Sequence, residues 1–149
     1  MSVDSLMKKR LVIVAPGDTV AKAARTMSDN ELGAVLVVDN GKLTGIFSER
    51  DLLKRVVASG KDPTRTFVGE VATPHPVTVG ATAQISDCYR IIKEKGFRHL
   101  PVVAADETPI GIISARDFLQ FMAVCIEEHA DMGDFFKNIG TMRLDPYGA

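Results

Sequence analysis

The chain contains an internal repeat, and this feature constrains the fold more than any other. Residues 45–56 read GIFSERDLLKRV and residues 111–122 read GIISARDFLQFM, 66 positions further on. A shift of 65 aligns the apolar positions and turns of residues 12–27 with 77–92, and of 32–38 with 97–103. Such self-similarity indicates two copies of one structural unit. A unit of about 65 residues buries too little surface to be stable alone, so the two copies must pack together.

Each half predicts the same order of elements. A short extended segment, residues 11–14 or 77–79, precedes an amphipathic helix, which in the first half has Val20, Ala23 and Met27 at helical spacing. A nearly all-apolar strand follows, at 34–38 or 100–103, as expected for a strand buried on both faces. A turn then leads to a second strand and a second helix. The predicted fold class is α+β, with two β-α-β-β-α repeats packed with pseudo-two-fold symmetry.

The repeat also predicts the domain boundaries. The first repeat spans residues 1–67, the second spans 68–126, and residues 127–149 form a C-terminal helical tail. The joint between the repeats is the segment TPHPV, residues 73–77. Its two prolines favour extended neighbours and make the joint stiff.

Composition excludes several classes of function. With 18 basic and 19 acidic residues the formal net charge is −1, which gives no basic face for nucleic acid or for an anionic membrane. No apolar run approaches the ~18 residues of a membrane span, and no signal peptide is evident. The two cysteines lack a CxxC spacing and indicate thiols in a reducing compartment. We therefore expect a cytoplasmic protein that binds neither nucleic acid nor membrane.

The repeated segment that begins with glycine, at residues 45–56 and 111–122, has two interpretations. Ser48 followed by Asp51, and Ser114 followed by Asp117, match a capping box at a helix start. The same geometry suits a ligand, because unpaired helix N–H groups attract phosphate and a carboxylate accepts hydrogen bonds from two vicinal hydroxyls of a ribose. Both roles are compatible, since the cap and the ligand use different carboxylate oxygens.

At this point the sequence resembles a known family. The two glycine phrases, AVLVVD at residues 34–39 and RHLPVV at residues 98–103 are similar to a tandem pair of CBS domains, named from cystathionine β-synthase, over roughly residues 3 to 125. The resemblance implies adenosyl ligands (AMP, ADP, ATP, NAD or S-adenosylmethionine) bound in clefts between the repeats, with no resident cofactor or metal and no catalysis by the pair itself.

The resemblance also implies which residues form the two clefts. In the first, Asp51 takes the ribose hydroxyls beside Ser48. Arg98 and His99 face the phosphates with Arg116 in reach, and Thr78 and Val79 line the adenine slot. In the second, Asp117 and Ser114 take the roles of Asp51 and Ser48, Arg50 is the nearby cation, and the residues around the base are Ile13, Val14 and Ala34. Gly33 and Ala34 stand where the other repeat has Arg98 and His99. We therefore expect the first cleft to hold more positive charge and to be the better phosphate site.

The last helix of the second repeat predicts an assembly. From Phe118 to Ile126 only Gln120 is polar, which implies a second apolar contact beyond the helix's own repeat, most simply in a homodimer. A helix wedged within the monomer is the alternative. Residues 133–139 are predicted to form a short helix that completes the same interface.

The function we expect is that of a stand-alone regulatory module that senses an adenosyl compound and signals to a separate, unknown effector protein. A protein-interaction or dimerisation scaffold with vestigial clefts is the alternative. An enzyme is disfavoured, because the sequence has no Walker loop, metal cluster, or nucleophile with an evident base.

Overall fold

The computed structural model describes residues 2–128. The expected helix at 133–139, and the tail from residue 129 onward, lie outside the described residues. In chain order the elements are a 3₁₀ turn Val3–Ser5, β1 Ile13–Val14, α1 Val20–Asp29, β2 Ala34–Asp39, β3 Lys42–Ser48, α2 Glu49–Asp51 continued by a π-helical segment Leu52–Val57, α3 Val68–Val71, β4 Thr73–Pro74, β5 Val79–Gly80, α4 Ile85–Lys95, β6 His99–Val103, β7 Pro109–Ser114 and α5 Ala115–Glu128.

The strands form two sheets with matching topology. In the first, β1 runs parallel to β2, which pairs antiparallel with β3, and β4 adds an antiparallel edge strand. In the second, β5, β6 and β7 repeat this order. A register irregularity falls at Val37/Val38 in one sheet and at Val102/Val103 in the other, 65 residues apart. The predicted α+β class with paired repeats is confirmed.

Local sequence accounts for most element boundaries. The Thr19 side chain accepts a hydrogen bond from the Lys22 N–H and caps α1. Asn40 and Gly41 both have positive φ, as a two-residue hairpin of type I′ requires between β2 and β3. Gly96 ends α4 in a left-handed conformation.

Each repeat has its own hydrophobic core, and each core includes a segment from outside the central β-α-β-β-α unit. The first core, around Val20, Val35 and Phe47, includes Val68 and Val71 from α3. The second core, around Leu100 and Ile113, includes Val3 from the N-terminal turn. Neither the 3₁₀ turn nor α3 was predicted from the sequence.

These two additional segments occupy equivalent positions. Thr73 pairs with Ile46 on β3, and Lys8 forms a bridge with Ile112 on β7, 66 residues after Ile46. Residues 3–8 therefore play in the second repeat the part that residues 68–73 play in the first. Pro74 sits at a sheet edge, where its missing N–H costs no ladder hydrogen bond, so the predicted stiff joint doubles as an edge strand.

Candidate ligand clefts between the repeats

Two clefts lie between the repeats, and residues from both halves line each of them. The first has a volume of about 250 Å³ and runs between the start of α2 and the residues before β6. The second has a volume of about 490 Å³ and runs between the start of α5 and the end of α1. Each cleft contains one of the two Ser/Asp pairs that begin a helix, Ser48 and Asp51 in the first and Ser114 and Asp117 in the second.

In the first cleft, Asp51 is fixed by a capping box at the start of α2. Its Oδ2 accepts hydrogen bonds from the N–H and the hydroxyl of Ser48, each at 3.0 Å, and the Ser48 Oγ accepts one from the Asp51 N–H at 3.2 Å. The other oxygen, Oδ1, lies 3.5 Å from Nε of Arg55. The Asp51 side chain is 12% exposed, so the carboxylate is held nearly buried with one oxygen directed away from the cap.

In the second cleft, Asp117 repeats this arrangement at the start of α5. Its Oδ2 accepts from the Ser114 N–H and hydroxyl at 2.7 Å each. The partner of its Oδ1 differs, because Lys8 from the N-terminal segment places Nζ at 3.2 Å from this oxygen. The Asp117 side chain is only 5% exposed.

The wall between the clefts is formed by Gly33, Glu49, Arg98 and His99, which line both. A Cβ built on Gly33 would lie 3.3 Å from the His99 ring and 3.5 Å from the Glu49 carboxylate. Glycine at this position therefore lets the imidazole and the carboxylate pack closely against the backbone.

The electrostatic setting of His99 follows from this packing. Burial lowers the pKa of its imidazole below the usual value of 6.5; the Glu49 and Asp117 carboxylates oppose the shift, and Arg98 and Lys8 reinforce it. The ring is therefore neutral at pH 7 and adds no charge to either cleft.

The formal charge of the lining is balanced in both clefts. Arg50 and Arg98 face Glu49 and Asp51 in the first. In the second, the charged lining residues are Lys8, Arg98 and Arg116 against Glu31, Glu49 and Asp117. The expected excess of positive charge in the first cleft is thus wrong for the described lining residues, because Arg98 is shared and Lys8 adds a cation to the second.

The structure brings together most of the residues that the sequence singled out. Ser48, Asp51, Arg98 and His99 meet in the first cleft. Ala34, Ser114 and Asp117 meet in the second.

The two arginines exchange places relative to the expectation. Arg50 lines the first cleft and Arg116 the second. Each stands two residues after its own capping serine, so the first helical turn directs it to the cleft of its own repeat.

Four of the residues expected around the base are absent from the described lining of the clefts, whereas the fifth, Ala34, lines the second. The described lining of the first cleft includes Pro76 and Val77 but neither Thr78 nor Val79, and Val79 packs against the second core. Ile13 and Val14 are absent from the described lining of the second cleft. Val14 is 3% exposed within the first core, so its side chain is already covered.

Several lining residues were missed from the sequence. His75 lines the first cleft with a positive φ of 47° between two prolines. Lys8 lines the second cleft, although nothing in the motif marks it. Extending the alignment of the repeats upstream, with Val3 over Val68, is the signal that would have placed Lys8 opposite Thr73.

The described residues contain no group of three or more His, Cys, Asp and Glu side chains able to hold a metal ion. What the clefts offer is binding chemistry: carboxylate acceptors at two helix starts, arginines beside them, and apolar walls. None of the helices in the described part of the chain is both long and apolar enough to cross a bilayer.

Comparison with protein-family models matches the CBS domain twice, at residues 3–58 and 68–124. The CBS domain-containing protein YhcV of Bacillus subtilis is 30% identical over 143 residues, which cover 96% of this chain and 98% of YhcV. The meiotically up-regulated gene 70 protein of Schizosaccharomyces pombe is 38% identical over 126 residues. That match covers 85% of this chain but only 17% of the yeast protein.

Among solved structures, that of CBSX2 in complex with AMP superimposes with a TM-score of 0.71 at 28% identity, covering 85% of this chain and 98% of CBSX2. The match therefore extends over nearly the whole of YhcV and CBSX2, but over only a small part of the much longer yeast protein.

Proposed function

The chain belongs to the CBS-domain family as a tandem pair, a regulatory type of module, and we propose that it binds adenosyl ligands in the two clefts between its repeats. AMP is the first ligand to test. A separate effector protein responds to the bound state.

The observation that supports this proposal is that the two carboxylate oxygens of each aspartate have different contacts. Oδ2 of Asp51 and of Asp117 is used in the capping box, while Oδ1 of each takes no part in the cap and lies near a cation. A vicinal diol needs a fixed, ionised acceptor that it can reach with both hydroxyls. A carboxylate clamped at a helix start provides one without a loss of side-chain entropy on binding.

The surroundings of the carboxylates support the rest of the ligand. Arg50 and Arg98 in the first cleft, and Arg98 and Arg116 in the second, are suited to pair with phosphate oxygens. Phe97 and Val77, 36% and 40% exposed, provide apolar surface for a base beside the first cleft. The AMP complex of CBSX2 supports the choice of AMP.

The test is a panel of AMP, ADP, ATP, NAD and S-adenosylmethionine in a thermal-shift assay, followed by calorimetry. A ligand at ~100 times its Kd adds about 2.7 kcal/mol, a rise in Tm of roughly 5–10 °C for a domain of this size. Asp51→Ala should abolish the first-cleft component. The matched control is Asp87→Ala, which removes an exposed first-turn carboxylate of α4 that pairs with Arg90 outside both clefts and should leave the shift intact. A flat panel would instead favour the scaffold function.

We also propose a homodimer formed through the helices that follow the two Ser/Asp phrases. Leu53 and Leu119 stand 66 residues apart and are 60% and 65% exposed, and Val57 and Val124 are 63% and 49% exposed. The alternative of a helix wedged within the monomer requires these side chains to be covered by their own chain. A second copy would bury this apolar surface.

A further inference from the structure

The two clefts differ in the group that faces Oδ1, the aspartate oxygen that is not used in the capping box. In the first, Oδ1 of Asp51 faces Arg55, which follows it by one helical turn. The equivalent residue in the second repeat is Phe121, which brings no charge. Lys8 takes the place of this cation from outside the helix, and the residue equivalent to Lys8 in the first repeat is the uncharged Thr73.

The cations beside the two Oδ1 atoms, Arg55 and Lys8, differ in their distance from the carboxylate and in their position relative to the cleft. An ionised carboxylate has about four lone-pair positions, and in both residues Oδ2 has used two on the serine N–H and hydroxyl. Arg55 Nε lies 3.5 Å from Asp51 Oδ1, beyond ordinary hydrogen-bond length. Lys8 Nζ lies 3.2 Å from Asp117 Oδ1 as an ion pair, and Lys8 lines the second cleft, whereas Arg55 is not among the described lining residues of the first cleft. The Lys8 ammonium therefore competes with a ligand for Asp117 Oδ1 more directly than Arg55 does for Asp51 Oδ1.

Arg55 is also held away from Asp51, whereas Lys8 is held towards Asp117. The Nη1 group of Arg55 donates to the carbonyls of Val71 and Ala72 at 3.2 Å each. The backbone of Lys8 exchanges hydrogen bonds with Ile112 at 3.0 and 3.3 Å, which places this residue beside β7, and its 52% exposed side chain reaches Asp117 from there.

A ligand does not readily displace Lys8. Because the Asp117 side chain is 95% covered, removing Lys8 would take away the cationic part of its compensation and leave the hydrogen bonds from the Ser114 N–H and hydroxyl. Two neutral hydroxyls replace that cation incompletely.

We propose that Lys8 is the specificity-determining residue of the second cleft. It leaves Asp117 one acceptor position, so that this cleft binds one ribose hydroxyl and accepts ribosyl and 2′-deoxyribosyl ligands alike. The first cleft binds both ribose hydroxyls and selects ribosyl ligands. This inference rests on the proposed function, since it concerns which sugar each adenosyl site takes.

The test is a titration of ¹⁵N-labelled protein with AMP and with 2′-deoxy-AMP, followed by NMR. The amide signals of Ser48 and Ser114, which donate to Asp51 and Asp117, report the two clefts separately. At Ser48 we expect AMP to bind about 10- to 100-fold more tightly than its deoxy analogue, the effect of one hydrogen bond to a charged group. At Ser114 the two Kd values should agree within about 3-fold.

Lys8→Thr, which installs the residue of the first repeat, should raise the Ser114 ratio to at least about 10-fold, and Lys8→Met, which keeps the apolar stem, should do the same. Lys9→Thr is the control, because Lys9 pairs with the exposed Asp4. A ratio above about 10 at Ser114 in the wild type, or a ratio that neither Lys8 variant changes, overturns the role of Lys8 alone. If neither amide responds to AMP in any variant, the proposed adenosyl function fails as well.

Discussion

Replacing Val3 by alanine tests whether the N-terminal segment completes the second repeat. Val3 is 0% exposed and packs in the second core beside Leu100 and Ile113, and its N–H donates to the Ala83 carbonyl at 2.9 Å. The substitution removes the equivalent of two buried methylene groups, at about 0.8 kcal/mol each, and the residual cavity adds to this loss. We expect the free energy of unfolding to fall by about 2–3 kcal/mol.

The measurement is urea unfolding followed by circular dichroism at one fixed protein concentration, which also fixes any contribution from assembly. The Tm should fall by roughly 5–10 °C. Val68→Ala, at the equivalent and equally buried position of the first core, should cost a similar amount. Val77→Ala, at a position that is 40% exposed and lies outside the proposed dimer helices, should cost less than about 0.5 kcal/mol.

The result that would refute this reasoning is a loss below about 0.5 kcal/mol for Val3→Ala together with a full loss for Val68→Ala. The second core would then be complete without residues 3–8. Lys8 would lose the anchor that holds it beside Asp117.

Two further predictions concern charge and assembly. Because burial places the pKa of His99 below 6.5 in the folded state, the unfolded chain binds a proton where the folded chain does not, so stability falls as the pH drops below about 6.5. Urea unfolding at about pH 7.5 and about pH 5.5 should show a smaller loss for His99→Gln, and an equal loss in both proteins contradicts the assignment. Leu119→Glu, at a side chain that is 65% exposed, should convert a dimer to a 16.1 kDa monomer in light scattering without changing the Tm of the monomer. A wild-type protein that is already monomeric at micromolar concentration contradicts the homodimer.

The sequence was sufficient for the parts of the fold that depend on local periodicity. The stripe of Val20, Ala23 and Met27 predicted α1, and all three side chains are buried. The run at 34–38 predicted β2, in which Ala34, Val35, Leu36 and Val37 are buried. The Ser/Asp phrases predicted the capping boxes at the start of α2 and α5, and their hydrogen bonds are present.

The cleft linings were only partly predictable, for a physical reason. Asp51 and Asp117 are fixed by residues three positions away, so their placement is local. Thr78 and Val79 were assigned to the first cleft, yet the strand register places Val79 opposite Val102 in the second sheet, and Pro76 and Val77 line the cleft instead.

By itself, the sequence determined that there are two repeats, which elements each contains, and where each carboxylate is capped, because these depend on contacts within a few residues along the chain. Only the tertiary structure decided that residues 3–8 complete the second repeat, that Arg98 and His99 serve both clefts, and that Lys8 reaches Asp117. These contacts join residues 65 or more positions apart, or different repeats, and they depend on how the two cores pack. The upstream extension of the repeat aligns Val3 with Val68, but no periodicity in the chain records how the two cores pack against each other.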